Sequence, residues 1–180
     1  MKLNDVEMQY QLNEFKDEIM TNPVYQKHSN GKDDPDYIYE FGCNLVMKLN
    51  MYNLYNKGKD YMTIKQLNDK IKAEKGYAYL YWMDFYNGDI EKVKKKCLGE
   101  ESFVLPEVIN RILGIKRTEH LNVKYPIDIT IENVFYGVRT LFNETGHYSM
   151  VVNNHLDYLD SYDGKIKAGK NILNLYSFEF

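Results

Sequence analysis

Near Lys116 the hydrophobic pattern of this chain changes period, from one that suits helices to one that suits strands. Before it, apolar residues recur every three or four positions; after it, short runs are separated by turn residues. A chain built this way is expected to fold as an α+β protein, helices first and a mainly antiparallel sheet second, with a cleft between the layers. Its 180 residues, 44% hydrophobic, suit one compact domain spanning 1–180. The expected helical half runs to about residue 115 and the sheet half from about 116.

Local signals set the helices. Met8, Leu12, Phe15 and Ile19 share one helical face, predicting an amphipathic helix from Asn4 to Met20 that ends at Asn22-Pro23. After a polar turn region, Ser29 to Asp36, a second helix starts at Gly42-Cys43, carries Val46, Met47, Met51 and Leu54, and closes at Gly58. Thr63 and Gln66 form a capping box for a third, ending at Gly76. Asp89 caps a fourth that stops at Gly99, and Pro106 suits the first turn of a fifth that stops at Gly114. Strands are expected over Leu121–Lys124, Val138–Phe142, Tyr148–Val152, Leu156–Asp160 and Ile172–Phe178, with Thr130–Tyr136 readable as strand or short helix.

Charge and composition narrow the function. A net charge of −3 supplies no overall positive field for a nucleic-acid backbone, and Lys92 to Lys96 read as the solvated face of a helix around Ile90, Val93 and Cys97. The first twenty residues are too charged for a signal peptide, and no stretch reads as a membrane span, so synthesis in the cytoplasm is expected. Two cysteines, Cys43 and Cys97, make neither a disulfide framework nor a tetrathiolate zinc site, and no His-Glu-x-x-His helix is present. No cofactor motif is seen. Asp33, Asp34 and Asp36 could offer oxygen ligands to calcium, although their spacing is not that of an EF-hand and a solvated acidic turn accounts for them.

Two dipeptides carry the chemistry. Gly42-Cys43 puts a thiol in the first turn of a helix, where the positive end of the dipole favours the thiolate; Gly42 leaves room for a substrate carbonyl. The competing role for Cys43 is that of a small buried apolar residue. Gly146-His147 opens a strand. With a two-residue turn at Asn153-Asn154, opposed residue numbers sum to 307 and His147 faces Asp160 across a hairpin. Opposed residues point to one side, so Asp160 could orient the imidazole toward Cys43. A three- or five-residue loop would bring Leu159 or Ser161 opposite instead. Asp163 competes for the orienting role, and Asp160 also suits the turn that runs to Gly164. His28, His120 and His155 lack comparable context, and Cys97 reads as a core position.

These pieces resemble the papain-like cysteine peptidases, in the branch similar to double-glycine leader peptidases and phage-encoded relatives. The matching segments, in family order, are Phe41-Gly42-Cys43 with Met47, Met62 to Asn68 leading to Gly76-Tyr77, Gly146-His147-Tyr148 with Val151-Val152, and Asp160 to Gly164. The resemblance implies Cys43 as nucleophile, His147 as general base and Asp160 as orienter, in a fold whose helical half abuts a sheet half. It implies amide hydrolysis through a thioester. The family's glutamine, six residues before the cysteine, would lend a donor to the oxyanion; here that place holds Tyr37, whose hydroxyl is the candidate substitute.

Among the family's subclasses, transporter-attached leader peptidases do not fit a chain without a span. A phage or prophage lysin that cleaves peptidoglycan stem peptides, released by a separate lysis factor, does. The alternative is a catalytically degenerate relative that binds a partner through Tyr37 and the aromatic stretch Tyr77 to Tyr86.

Overall fold

The computed structural model describes residues 3, 6–11, 17–123, 127–142 and 145–180. The element order is β1 (Ile19–Thr21), β2 (Asp36–Tyr37), α1 (Ile38–Phe41), α2 (Cys43–Tyr55), α3 (Ile64–Ala73), α4 (Ala78–Phe85), α5 (Ile90–Cys97), α6 (Pro106–Leu113), β3 (Arg117–Leu121), β4 (Val134–Phe142), β5 (Thr145–Val151), β6 (Tyr158–Asp160), β7 (Ile166–Lys167) and β8 (Ile172–Glu179). Helices precede a six-stranded antiparallel sheet of order β3-β8-β4-β5-β6-β7, an α+β arrangement.

Helix α2 is the hub. Its apolar positions extend beyond one stripe: Leu45, Val46, Met47, Leu49, Met51 and Leu54 are all buried, as are Lys48, Asn50 and Asn53. A helix surrounded on most sides can keep polar residues only if each has a partner. Asn53 bonds both ways with the Met62 backbone at 2.9 Å, and Asn50 donates to the Gln9 carbonyl at 2.9 Å while accepting the Gln9 amide at 3.0 Å. On the sheet side α2 packs against β5, and its Met47 also reaches β4, where a β-carbon on Gly137 would come within 2.6 Å of the Met47 sulfur.

Local signals were accurate where they concerned caps. Thr63 and Gln66 make the full capping box of α3, the Asp89 side chain accepts the Lys92 amide at the start of α5, and Pro106 opens α6 with Gly114 left-handed after it. The expected N-terminal helix over 4–20 is corrected. Residues 6–10 are not helical, and Ile19 and Met20 belong to β1; residues 4, 5 and 12–16 of that span lie outside the described residues. Here the Gln9 side chain donates to the Met62 carbonyl at 2.8 Å and accepts the Ile64 amide at 2.7 Å, so tertiary bonds replace helical ones.

Three further expectations shift. The strand expected at Leu121–Lys124 runs earlier as β3, with Lys124 outside the described residues; the ambiguous Thr130–Tyr136 becomes the lead into β4; and α4 and β7 were not foreseen. Helix α4 escapes sequence reading because its first amides are capped from a distance, Ala78 by the Phe103 carbonyl at 2.9 Å and Tyr79 by that of Glu101 at 3.0 Å.

The two sheet faces carry separate cores. Met150, Leu159 and Phe178 join the main core with the α2, α3 and α6 side chains, while Val138, Val151, Leu156, Tyr158 and Leu175 fill a smaller one. Among the described residues no helix is long and apolar enough to cross a membrane.

Candidate active site

Strand β2 and the short helix α1 deliver the chain to Gly42, and Cys43 is the first residue of α2, partly exposed. The tight entry is made by the Gly42 amide, which donates to the Ile38 carbonyl at 2.8 Å. A β-carbon at Gly42 would meet that oxygen and the Ile38 side chain at 2.7 Å, so the glycine is demanded by the chain's own packing, not by room for a substrate.

The register of the histidine hairpin departs from expectation by two residues. Ser149 pairs with Asp160, Met150 with Leu159 and Val151 with Tyr158, and the Val152 amide bonds to the Asp157 carbonyl. Opposed numbers therefore sum to 309, and four residues, Asn153 to Leu156, form the loop instead of two. Asn153 explains the longer turn: its side-chain oxygen accepts the His155 and Asp157 amides, at 2.9 and 3.1 Å, and Leu156 takes a left-handed φ of 64°.

A slip of two keeps every side chain on its face. His147 and Asp160 are thus diagonal neighbours rather than direct ones, and His147 Nε2 lies 3.1 Å from Asp160 Oδ1. Strand β6 ends at Asp160, while β5 runs on past it, so His147 stands on the part of β5 that β6 leaves uncovered and pairs with Thr140 of β4 on its other side; there the Cys43 thiol and the imidazole are hydrogen-bonded and electrostatically coupled. With Nε2 on Asp160, Nδ1 is the nitrogen left for the sulfur.

Both members of the pair are buried, His147 at 6% exposure and Asp160 at 1%. Burial pulls the imidazole's pKa down, but hydrogen bonds from Asp160 and Cys43, and their charges, outweigh it and raise the value from 6.5 to about 9. For Asp160 burial acts to raise the pKa, and the bonds from His147 and Lys167 reverse it, holding the carboxyl well below its ordinary range. Asp160 Oδ1 also accepts the Tyr162 amide at 2.8 Å, and Oδ2 accepts Lys167 Nζ at 2.6 Å. The competitor Asp163 faces Lys165 and Lys167 instead. Ser149, opposite Asp160, is fully buried with its hydroxyl unpartnered among the described residues.

Tyr37 pairs with Ile19 through its backbone and stands before α1; it is half-buried, and its hydroxyl bonds to no described residue. The three aspartates of the polar turn are drawn apart: Asp33 to Lys27, Asp34 to His28 Nε2 at 3.2 Å, and Asp36 to the Thr21 hydroxyl at 3.0 Å. Among the described residues no three His, Cys, Asp or Glu side chains gather in a metal-binding group. His120 lies against the Tyr176 ring, His155 is an exposed turn residue, and Cys97 is buried beside Val93.

Sequence reasoning missed three contributors. Lys167 sits on the unforeseen β7, opposite Tyr158 and hence on the face of Asp160. Tyr162 donates its hydroxyl to that of Tyr39 at 2.8 Å, clasping the Asp160 turn to α1. Gln11 spans the same junction, its amide donating to the Ser161 carbonyl at 3.0 Å and its side chain to the Ile38 carbonyl at 2.8 Å. The alternation Lys165-Ile166-Lys167 after Gly164 was the only available signal for the first; nothing local marks the other two.

Compared with known proteins, the chain matches no family model, no curated protein and no solved structure.

Proposed function

We propose that this protein is a thiol hydrolase of papain-like architecture that cleaves an amide bond. The observation that carries the reading is the coupling of one imidazole to both partners: His147 bonds Asp160 with Nε2 and the Cys43 thiol from its other side. In the reaction His147 takes the thiol proton, and the sulfur attacks the substrate carbonyl. The resulting oxyanion sits by the first amides of α2, with the Tyr37 hydroxyl as a second donor. The imidazolium returns its proton to the leaving amine, the C–N bond breaks, and a thioester remains. Water then attacks that thioester, giving its proton to His147, and the carboxylate product leaves as the thiol re-forms.

The substrate that suits the resemblance is a peptidoglycan stem peptide, cleaved by a phage or prophage endolysin that a separate lysis factor releases. Purified protein is expected to clear a suspension of bacterial walls, and Cys43→Ala to abolish clearing. Clearing at the parental rate by that variant would remove Cys43 from the mechanism.

A second reading is favoured by α4, which turns Tyr81 and Phe85 outward, the latter 61% exposed, beside Trp82 and Tyr86. Such a face suits a partner-binding module on an inactive peptidase fold. Equal, slow alkylation of Cys43 and Cys97 would favour that module over the enzyme.

A further inference from the structure

We propose that Lys167 is a fourth member of the site, a positioning residue that acts on His147 through Asp160. The inference rests on the thiol-hydrolase reading and deepens it. Its warrant is how the Asp160 carboxylate is shared: Oδ1 takes His147 Nε2 at 3.1 Å and the Tyr162 amide at 2.8 Å, while Oδ2 takes Lys167 Nζ at 2.6 Å. Each oxygen is committed to a different side, so the carboxylate cannot rotate without breaking a charged bond. Strand register supplies the geometry, since Lys167 pairs with Tyr158 two residues before Asp160 and rises from the same face.

The consequence is electrostatic as well as steric. His147, Asp160 and Lys167 form a row in which imidazolium, carboxylate and ammonium alternate in sign. A carboxylate paired only with the imidazolium stabilises it fully, which makes the later transfer of its proton to the leaving amine harder. Lys167 draws on the same carboxylate and limits that stabilisation. Among the described residues the other charged or titratable groups around the pair include Asp163, 3.8 Å from Lys167 Nζ, Lys165 on the same turn, Tyr158 on β6, Tyr148 on β5, and Tyr162 with its partner Tyr39. Asp163 tethers Lys167 from the solvent side but does not reach Asp160's place on the imidazole.

The test uses the full chain and needs no identified substrate. Iodoacetamide labelling of Cys43 is followed against pH by mass spectrometry, with Cys97 as the internal reference, in the parent and in Lys167→Met, Lys167→Gln and Lys167→Arg. The upper limb of the Cys43 profile reports loss of the imidazolium proton. It is expected to move upward by about half a pH unit or more in the Met and Gln variants and to stay at the parental position in the Arg variant. Gln retains a donor for Oδ2 and tests the charge alone should Met fail to fold, as checked by circular dichroism. An unmoved or lowered limb in a folded Gln variant overturns the role of Lys167. Failure of the parent to label Cys43 faster than Cys97 would instead overturn the hydrolase reading, so the two failures are distinguishable.

Discussion

Lys48, less than two turns along α2 from Cys43, is a cation placed where burial opposes its charge. Desolvation pulls its pKa from 10.5 down to about 8, and among the described residues the Asn110 side-chain oxygen, at 3.0 Å, and the Phe178 ring, 5.4 Å from the ammonium, compensate in part. The unfolded chain keeps this proton to about 10.5 while the folded protein gives it up near 8, so unfolding takes up a proton between those values. Stability from this residue therefore climbs as pH rises across that window and is lowest below it. At neutral pH Lys48→Met is expected to stabilise by about 1–3 kcal/mol, the relieved desolvation less the lost bond to Asn110, and to remove the alkaline climb. Urea denaturation at pH 7 and pH 9.5 measures both. In the sequence Lys48 is an ordinary helix residue; only the helix burying nearly all its faces makes it costly.

The segment 6–11 behaves as a strap rather than the start of a helix. It lies along α2 through Gln9 and reaches the junction of the two halves through Gln11, whose side-chain Nε2 donates to both the Ile38 and Tyr39 carbonyls, at 2.8 and 3.3 Å. One strap residue thus touches the element leading to Cys43 and, through Ser161, the turn that follows Asp160. Gln11→Ala is expected to cost about 1–3 kcal/mol in denaturant unfolding and to slow Cys43 alkylation relative to Cys97, because two walls of the site lose a shared tie. A loss of stability with no change in Cys43 labelling would limit Gln11 to a structural role. Elements with local end signals were legible from the sequence: α3 and α5 because the capping side chain is a near neighbour of the amide it satisfies, and α6 because Pro106 opens it and Gly114 closes it. The strap and α4 were not, because their backbone partners lie far along the chain, and β7 was not, because a strand of two residues carries too short a pattern to read.

Across the whole molecule, the site links proton balance to folding. His147, raised from 6.5 to about 9, adds stability that is fully present below 6.5 and is lost as pH rises through 9. Asp160, held below its ordinary range, adds stability present above 3.8 that is lost as pH falls further. The site therefore stabilises the fold most between about pH 4 and 6.5, opposite in sense to the alkaline climb from Lys48. His147→Gln is expected to lose about 2–3 kcal/mol at pH 6 relative to the parent and much less at pH 9.5, a difference that cancels the shared Lys48 contribution. Thermal unfolding of the two proteins across that range checks it; a pH-independent difference would mean the imidazole is not held charged.

By itself the sequence determined the things that depend on neighbours in the chain: the order of helices before sheet, the caps, the residue types of the site and, through the two-residue period of a strand, which face His147 and Asp160 share. That face survived a loop longer than expected because a slip of two restores it. Tertiary structure alone decided the actual register, the meeting of Cys43 with His147, and the arrival of Lys167, Gln11 and the Tyr39–Tyr162 clasp. The physical reason is one of range: caps and periodicity are set within a turn or a strand, whereas the Cys43–His147 meeting, the Gln11 bonds and the Tyr39–Tyr162 clasp join distant segments whose approach is set by the packing of α2 against the sheet; the register and Lys167 are local, and depend on the Asn153 turn and the two-residue β7.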